Sequence, residues 1–251
     1  MSNRVLLAGL CAGLLAGAAV ALLQQFTTSP LISKAEAYEA AKAAGSRAAI
    51  HGEDALPHSH PGAHGQGEEE GWKPREGFER IAVTSLATFA TSIGYALLLL
   101  AAMLLSEAEI TAHRALAFAA CGFIATGLAP SMGLPPELPG NATGPLIERQ
   151  VWWAATAAAT AGALWLLLSS KLAGAKFAGA ALLLLPHIAG APQPAGFEST
   201  APAELAGQFA ATSLGLQALL WALIGFAAGA VWPALRPGGA ASRKLMERAA
   251  R

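Results

Sequence analysis

Residues Ile81–Leu105 read IAVTSLATFATSIGYALLLLAAMLL, twenty-five positions without a charge. About 20 mostly apolar residues are enough to cross the hydrocarbon core of a bilayer, so this stretch alone predicts a transmembrane helix. Working outward, the same reading applies to Val5–Leu23, Ala115–Ala129, Val151–Leu168, Ala173–Ile188 and Phe209–Trp232. The third and fifth of these six segments are short. They meet Pro130 and Pro186, where a helix is expected to end or kink because proline lacks an amide proton and clashes with the preceding turn. The expected fold is all-α: a polytopic membrane bundle of about six helices forming one membrane domain over residues 1–251. It would have five spans if the first is cleaved or the fifth does not cross.

Composition agrees. Of 251 residues, 54% are hydrophobic and 13% charged, where a soluble domain carries about a quarter charged. Sixteen Lys and Arg balance sixteen Asp and Glu, which excludes a strongly basic nucleic-acid binder and an acidic disordered chain. The lipid bilayer is therefore an expected partner and nucleic acid is not. Cys11 and Cys121 both sit in apolar runs, so neither a disulfide framework nor a zinc finger is available. Arg4 followed by an apolar run and the small residues Ala18, Ala19 and Ala21 also fits a cleavable signal peptide. Nineteen apolar residues exceed the usual signal core of roughly 7–15, which favours retention as an anchor.

Charge sets the expected orientation. Arg4, Arg114, Lys171, Lys176 and the tail residues Arg236, Arg243, Lys244, Arg248 and Arg251 fall on one side, and the other two short loops hold only Arg149. Both termini, with the basic tail 233–251, are thus expected in the cytoplasm. The loop 24–80 is expected outside. Its stretch Ala35–Ala49 reads as a short helix, and 51–73 is low in complexity and expected to be disordered.

No P-loop, H-E-x-x-H or G-x-S-x-G motif is present and charges are almost absent from the spans, so nucleotide hydrolysis, zinc-protease and serine-hydrolase chemistry lack their markers. The chain is read as a non-enzyme. Metal is a better candidate ligand. His51, His58, His60 and His64 stand among Glu53, Asp54 and Glu68 to Glu70, and imidazole with carboxylate suits zinc, nickel, cobalt and copper. Against that reading stands a solvated linker that happens to contain histidine. His187 follows Pro186 in LLLLPHIAGAP, at a helix end where backbone carbonyls lose their partners; the competing reading is a hydrogen-bonded interfacial histidine. Glu137 sits in the proline-rich PPELPG (135–140), which PAELAG (202–207) echoes, so Glu204 is a possible counterpart in a parallel repeat. With Gln24, Gln25, Arg149 and Gln150, these residues put nearly all polar features near the membrane on one side. A permease that admits something from outside needs such a set, and an anchor does not. The spacings Gly9, Gly13, Gly17 and Gly225, Gly229 read as helix-packing seams.

The chain resembles the CbtA family of proposed cobalt transporter subunits. The resemblance rests on Gln24-Gln25, EAYE (36–39), GFER (77–80), LAPSMGLPPELPG (128–140), RQVWW (149–153) and LPHIAGAP (185–192), in the family's order over nearly the whole chain. It implies a bacterial inner-membrane protein that works with a small single-span partner, CbtB, bearing a histidine-rich end. It also implies a link to vitamin B12 synthesis and about five spans rather than six, and it strengthens His187 and Glu137 as metal ligands. The resulting expectation is a permease subunit that takes up a divalent transition ion, cobalt with nickel not excluded, as cargo rather than as a permanently bound cofactor. Two rivals are a non-transporting metal-sensing or assembly subunit that binds a small partner, and an intramembrane enzyme for a lipid or quinone.

Overall fold

The computed structural model describes residues 2–51, 74–75, 77–107, 109–194, 196 and 199–235. The loop histidines His58, His60 and His64, and the basic tail from 236 onward, lie outside these residues. Among the described residues seven helices are formed: α1 (Ser2–Phe26), α2 (Thr28–His51), α3 (Phe78–Leu105), α4 (Ala112–Ser131), α5 (Leu146–Ser169), α6 (Ala173–Ala189) and α7 (Ala203–Ala234). No strand occurs among the described residues.

Five helices, α1, α3, α4, α5 and α7, are long and apolar enough to cross a membrane. Helix α6 has 17 residues, about 25 Å at 1.5 Å per residue, against a hydrocarbon core of about 30 Å. The outer surface is what lipid requires: Leu15 is 61% exposed, Leu86 70% and Phe177 81%. Water would penalise such a surface, and hydrocarbon does not.

Three expectations need correcting. The segment after α1 is not a loop with a short helix at 35–49, because α2 begins at Thr28 and runs 24 residues. Pro30 falls in its first turn, where the missing amide proton costs nothing, and Ala, Glu and Lys carry the helix onward. Helix α4 does not stop at Pro130. A π-helical turn at Ile124–Leu128 shifts the hydrogen-bond register, and the helix continues through the proline to Ser131. Likewise α6 passes through Pro186 and ends at Ala189, where Gly190 at φ +82° turns the chain out of the helix in a conformation that favours glycine.

Helix α1 is packed between α3 and α7, and α4 closes against α7. Side chains small enough for backbone contact make this possible. A Cβ on Gly13 would stand 2.5 Å from Ile93 Cα, and one on Gly9 2.4 Å from Leu97 Cδ2. On α7 a Cβ at Gly229 would lie 2.4 Å from Ala112 Cα, and one at Gly225 2.8 Å from Ala119 Cβ. Both glycine spacings thus serve packing within the bundle. At the same end the Arg4 guanidinium stacks 3.9 Å above the Trp232 ring and donates to the Trp232 carbonyl, joining the start of α1 to the end of α7. Helices α5 and α6 form a separate hairpin that meets the bundle at the π turn.

The glycine seam can be tested by contrast. Gly13→Ala should lower stability by about 1–3 kcal/mol through overpacking, because backbone must move. Gly45→Ala, on α2 with nothing within 4 Å, should be neutral or stabilising by up to about 1 kcal/mol. Thermal unfolding of both full-length variants in detergent reads the difference.

Candidate functional site

The side of the bundle that holds Phe26, Phe78, Ser131 and Ala203 opens into a cavity of about 910 Å³ between α1, α2, α3 and α7. It reaches from Gly77 to Tyr95 along α3, about 27 Å of helix. Polar side chains stand among its mainly apolar lining: Gln24, Gln25, Thr28 and Ser29 near the α1–α2 junction, Thr84, Thr88 and Thr91 on α3, and Ser213 and Gln217 on α7.

Two charges stand at its rim. Arg80 donates to both oxygens of Glu36, at 2.8 and 2.7 Å, joining the start of α3 to α2. With each side chain about one-third exposed (31% and 34%), water and salt screen the pair, whose worth is about 1 kcal/mol or less. Its effect is to hold α2 over the cavity in a fixed orientation.

Deeper in, Thr88 Oγ1 donates to Gln24 Oε1 at 2.9 Å, bridging α3 and α1. The inner end is tied to the π turn of α4. Pro130 carries no N–H to give to the Thr126 carbonyl four residues before it, and that oxygen accepts from Gln217 Nε2 at 3.3 Å. Thr126 Oγ1 accepts from Trp221 Nε1 at 3.0 Å, and the Trp221 ring stacks on Tyr95 with centroids 4.7 Å apart. Gly122 leaves room for that indole, since a Cβ there would come within 2.4 Å of it.

The residues singled out from the sequence fall into separate places. Gln24 and Gln25 line the cavity, His51 ends α2 away from it, and Glu137, Arg149, Gln150, His187 and Glu204 are not among its lining residues. Glu137 accepts from Arg149 at 2.6 Å in a three-quarters-buried ion pair. His187 packs edge-on against Trp152, with ring centroids 6.2 Å apart. Gln150 is exposed, and Glu204 shares a shallow cleft with Lys34 and Tyr38. The two P-x-E-L-x-G motifs differ in structure: PPELPG is loop, while PAELAG opens α7. Leu138, within the first motif, and Ala201, just before the second, nevertheless pack together with Ala35 of α2. Among the described residues no three His, Cys, Asp or Glu side chains are grouped as a metal site.

The residues missed from sequence are Thr88, Thr91, Tyr95, Ser213 and Gln217. Only Gln217 carried a usable signal, as an amide inside an otherwise apolar span. Glu36 and Arg80 stood in quoted motifs, but their pairing across 44 positions was not legible.

Membrane-length helices with an apolar exterior define a multi-pass membrane protein, with a cavity open on one side that carries polar side chains in its lining. The family model described as "Probable cobalt transporter subunit (CbtA)" matches residues 2–233, and the chain belongs to that family. Its work is therefore membrane transport of cobalt as one subunit of a transporter. No curated protein and no solved structure gave a significant match.

The Gln217 link to the π turn predicts non-additivity. Gln217→Ala should cost about 1–2 kcal/mol by leaving the Thr126 carbonyl without its partner. In a Pro130→Ala background, where a restored N–H can serve that oxygen, the same change should cost about half as much or less. A double-mutant cycle on detergent-solubilised chain measures the coupling.

Proposed function

We propose that the chain is the permease subunit for uptake of divalent cobalt across the bacterial inner membrane, and that the cavity between α1, α2, α3 and α7 is the cation's entrance. The observation that carries this is the cavity itself: furnished with hydroxyl and amide side chains, reaching past the middle of α3, and open at the end opposite Arg4. Basic residues support the direction. Arg4, Arg114, Lys171 and Lys176 stand at the other end of the helices, the end that favours the cytoplasm. The cavity mouth then faces the periplasm and both termini face the cytoplasm.

The histidine segment fits as a weak capture array. It is tethered between α2, which lines the cavity, and Gly77 at the rim, so His51, His58, His60 and His64 would raise the local ion concentration there. Glu137 as a ligand requires release of Arg149, which makes it and His187 secondary to the cavity. A small single-span subunit with a histidine-rich end, like CbtB, is the proposed partner, and supply of cobalt for vitamin B12 synthesis the proposed role. Nickel is accepted to a comparable degree, because nitrogen and oxygen donors bind it at least as well as cobalt. The driving force is the ion gradient, the membrane potential or the partner.

Cells expressing the chain with its small partner should accumulate cobalt severalfold above empty-vector cells, by mass spectrometry. Thr88→Trp, which fills the cavity, should return cobalt to the vector level at equal membrane abundance. Equal cobalt in all three would overturn import and leave a subunit that senses metal or assembles a partner without flux.

A further inference from the structure

We infer that Glu36 is the first site at which the chain holds its divalent cation, and that the ion takes this carboxylate in exchange for the Arg80 guanidinium. This rests on the reading of the cavity as the cation's entrance, and it adds the residue that meets the ion there.

Charge singles this residue out. The hydroxyl and amide side chains of the lining both donate and accept hydrogen bonds, so by themselves they favour neither a cation nor an anion. Among the described lining residues only Glu36 and Arg80 are charged, and Glu36 is the single carboxylate. Arg80 covers both of its oxygens, at 2.8 and 2.7 Å, the two atoms that a divalent ion would use. On α2, Ser29 and Ser33 precede Glu36 by seven and three positions, hence on one helix face, and both line the cavity. They place neutral oxygens beside the carboxylate.

Exchange is easy in this place. The Glu36 side chain is 34% exposed and that of Arg80 31%, so water at the open mouth solvates the guanidinium as it leaves. Pairs of this exposure are weak, whereas a divalent ion brings twice the charge of the group it displaces. The other ion pair on this side is placed differently. Glu137 and Arg149 are 25% and 24% exposed, and neither is among the lining residues. Oxygen donors suit magnesium and manganese as well as cobalt, so Glu36 is a station for divalent ions as a class.

The test is equilibrium dialysis of cobalt(II) chloride against the full-length chain in detergent. All samples carry His51→Ala, His58→Ala, His60→Ala and His64→Ala, so that loop imidazoles take no metal. Glu36→Gln should weaken saturable binding about tenfold or more, and Arg80→Gln, which removes the competitor, should tighten it about threefold to tenfold. Opposite signs from the two halves of one ion pair separate exchange from a structural role, in which both changes would loosen α2 and act alike. Should Glu36→Gln fail to fold, Glu36→Gln with Arg80→Gln removes both charges of the pair and should bind as weakly. Arg149→Gln, which uncovers Glu137, should leave binding unchanged. Absence of saturable binding, binding indifferent to Glu36→Gln, or no tightening in Arg80→Gln overturns the inference. Tightening in Arg149→Gln instead overturns it in favour of Glu137. Cobalt accumulation in cells separates the two readings. Binding that depends on Glu36 without accumulation keeps the site and rejects import. Accumulation that survives Glu36→Gln at equal membrane abundance keeps import and rejects the site.

Discussion

Backbone-to-backbone contact at one end of the bundle sets the shape of everything else. Gly9 and Gly13 let α1 meet Leu97 and Ile93 of α3, and Gly225 and Gly229 let α7 meet Ala119 and Ala112 of α4. These residues lie in the half of the bundle that contains Ser2, Leu105, Ala112 and Ala234. Association of helices in lipid has no hydrophobic drive and depends on close packing, so the half with glycine at the seams closes. Toward the other half the seam residues change character. Gly17 is the last glycine on α1, facing Phe89 and Ser92, and beyond it come Gln24 with Thr88 on α3. On α7 the earlier half presents Phe209, Ser213 and Gln217. Larger and polar side chains cannot pack so tightly, and the cavity occupies the space between.

Polar groups placed in that space must be satisfied within the protein, since the bilayer core has no water to offer. This explains why proline and π geometry occur where they do. Pro130 in α4 removes one backbone donor, the π turn shifts the register, and Gln217 and Trp221 of α7 reach across to Thr126. Without the proline, Gln217 would have a weaker hold on α4 and its amide would be free to turn. The same bonds that stabilise the inner end of the cavity therefore fix which atoms face it. Described charges on this side are managed in the same way, Glu36 by Arg80 and Glu137 by Arg149.

The spans were legible because twenty apolar residues in a row allow few alternatives, and the glycine spacings because only backbone proximity explains a four-residue period of residues without side chains. Helix ends at proline were read too literally. The rule that proline stops a helix assumes the lost hydrogen bond has no substitute, and neither the π turn before Pro130 nor the continuation past Pro186 can be seen in local sequence. The polar set on one side was legible as a list but not as a site. Gln24 and Gln25 lie in the cavity, yet their companions Thr88 and Gln217 come from helices 60 to 200 positions away along the chain and look like ordinary span residues. Glu137 was legible as a charge near the membrane, and its partner Arg149 twelve positions on was noted without being paired to it.

The closed half carries the last consequence. On the proposed reading of the cavity as an entrance, a cation passing Tyr95 would meet α1, α3, α4 and α7 at their tightest contact, and going further would require those seams to part. The residues buried there are mainly Ala and Gly where the backbones cross, with Leu99, Leu100, Met103, Ile110, Ile224 and Trp232 as the larger members. Parting them exposes little surface to lipid that lipid does not already solvate well. What opposes opening is the loss of dispersion contacts and of the Arg4 anchor on Trp232, both of which reform when the seam closes. A seam of small residues is thus tight enough to seal one end and cheap enough to open, whereas a seam of interlocked large side chains would have to repack each time.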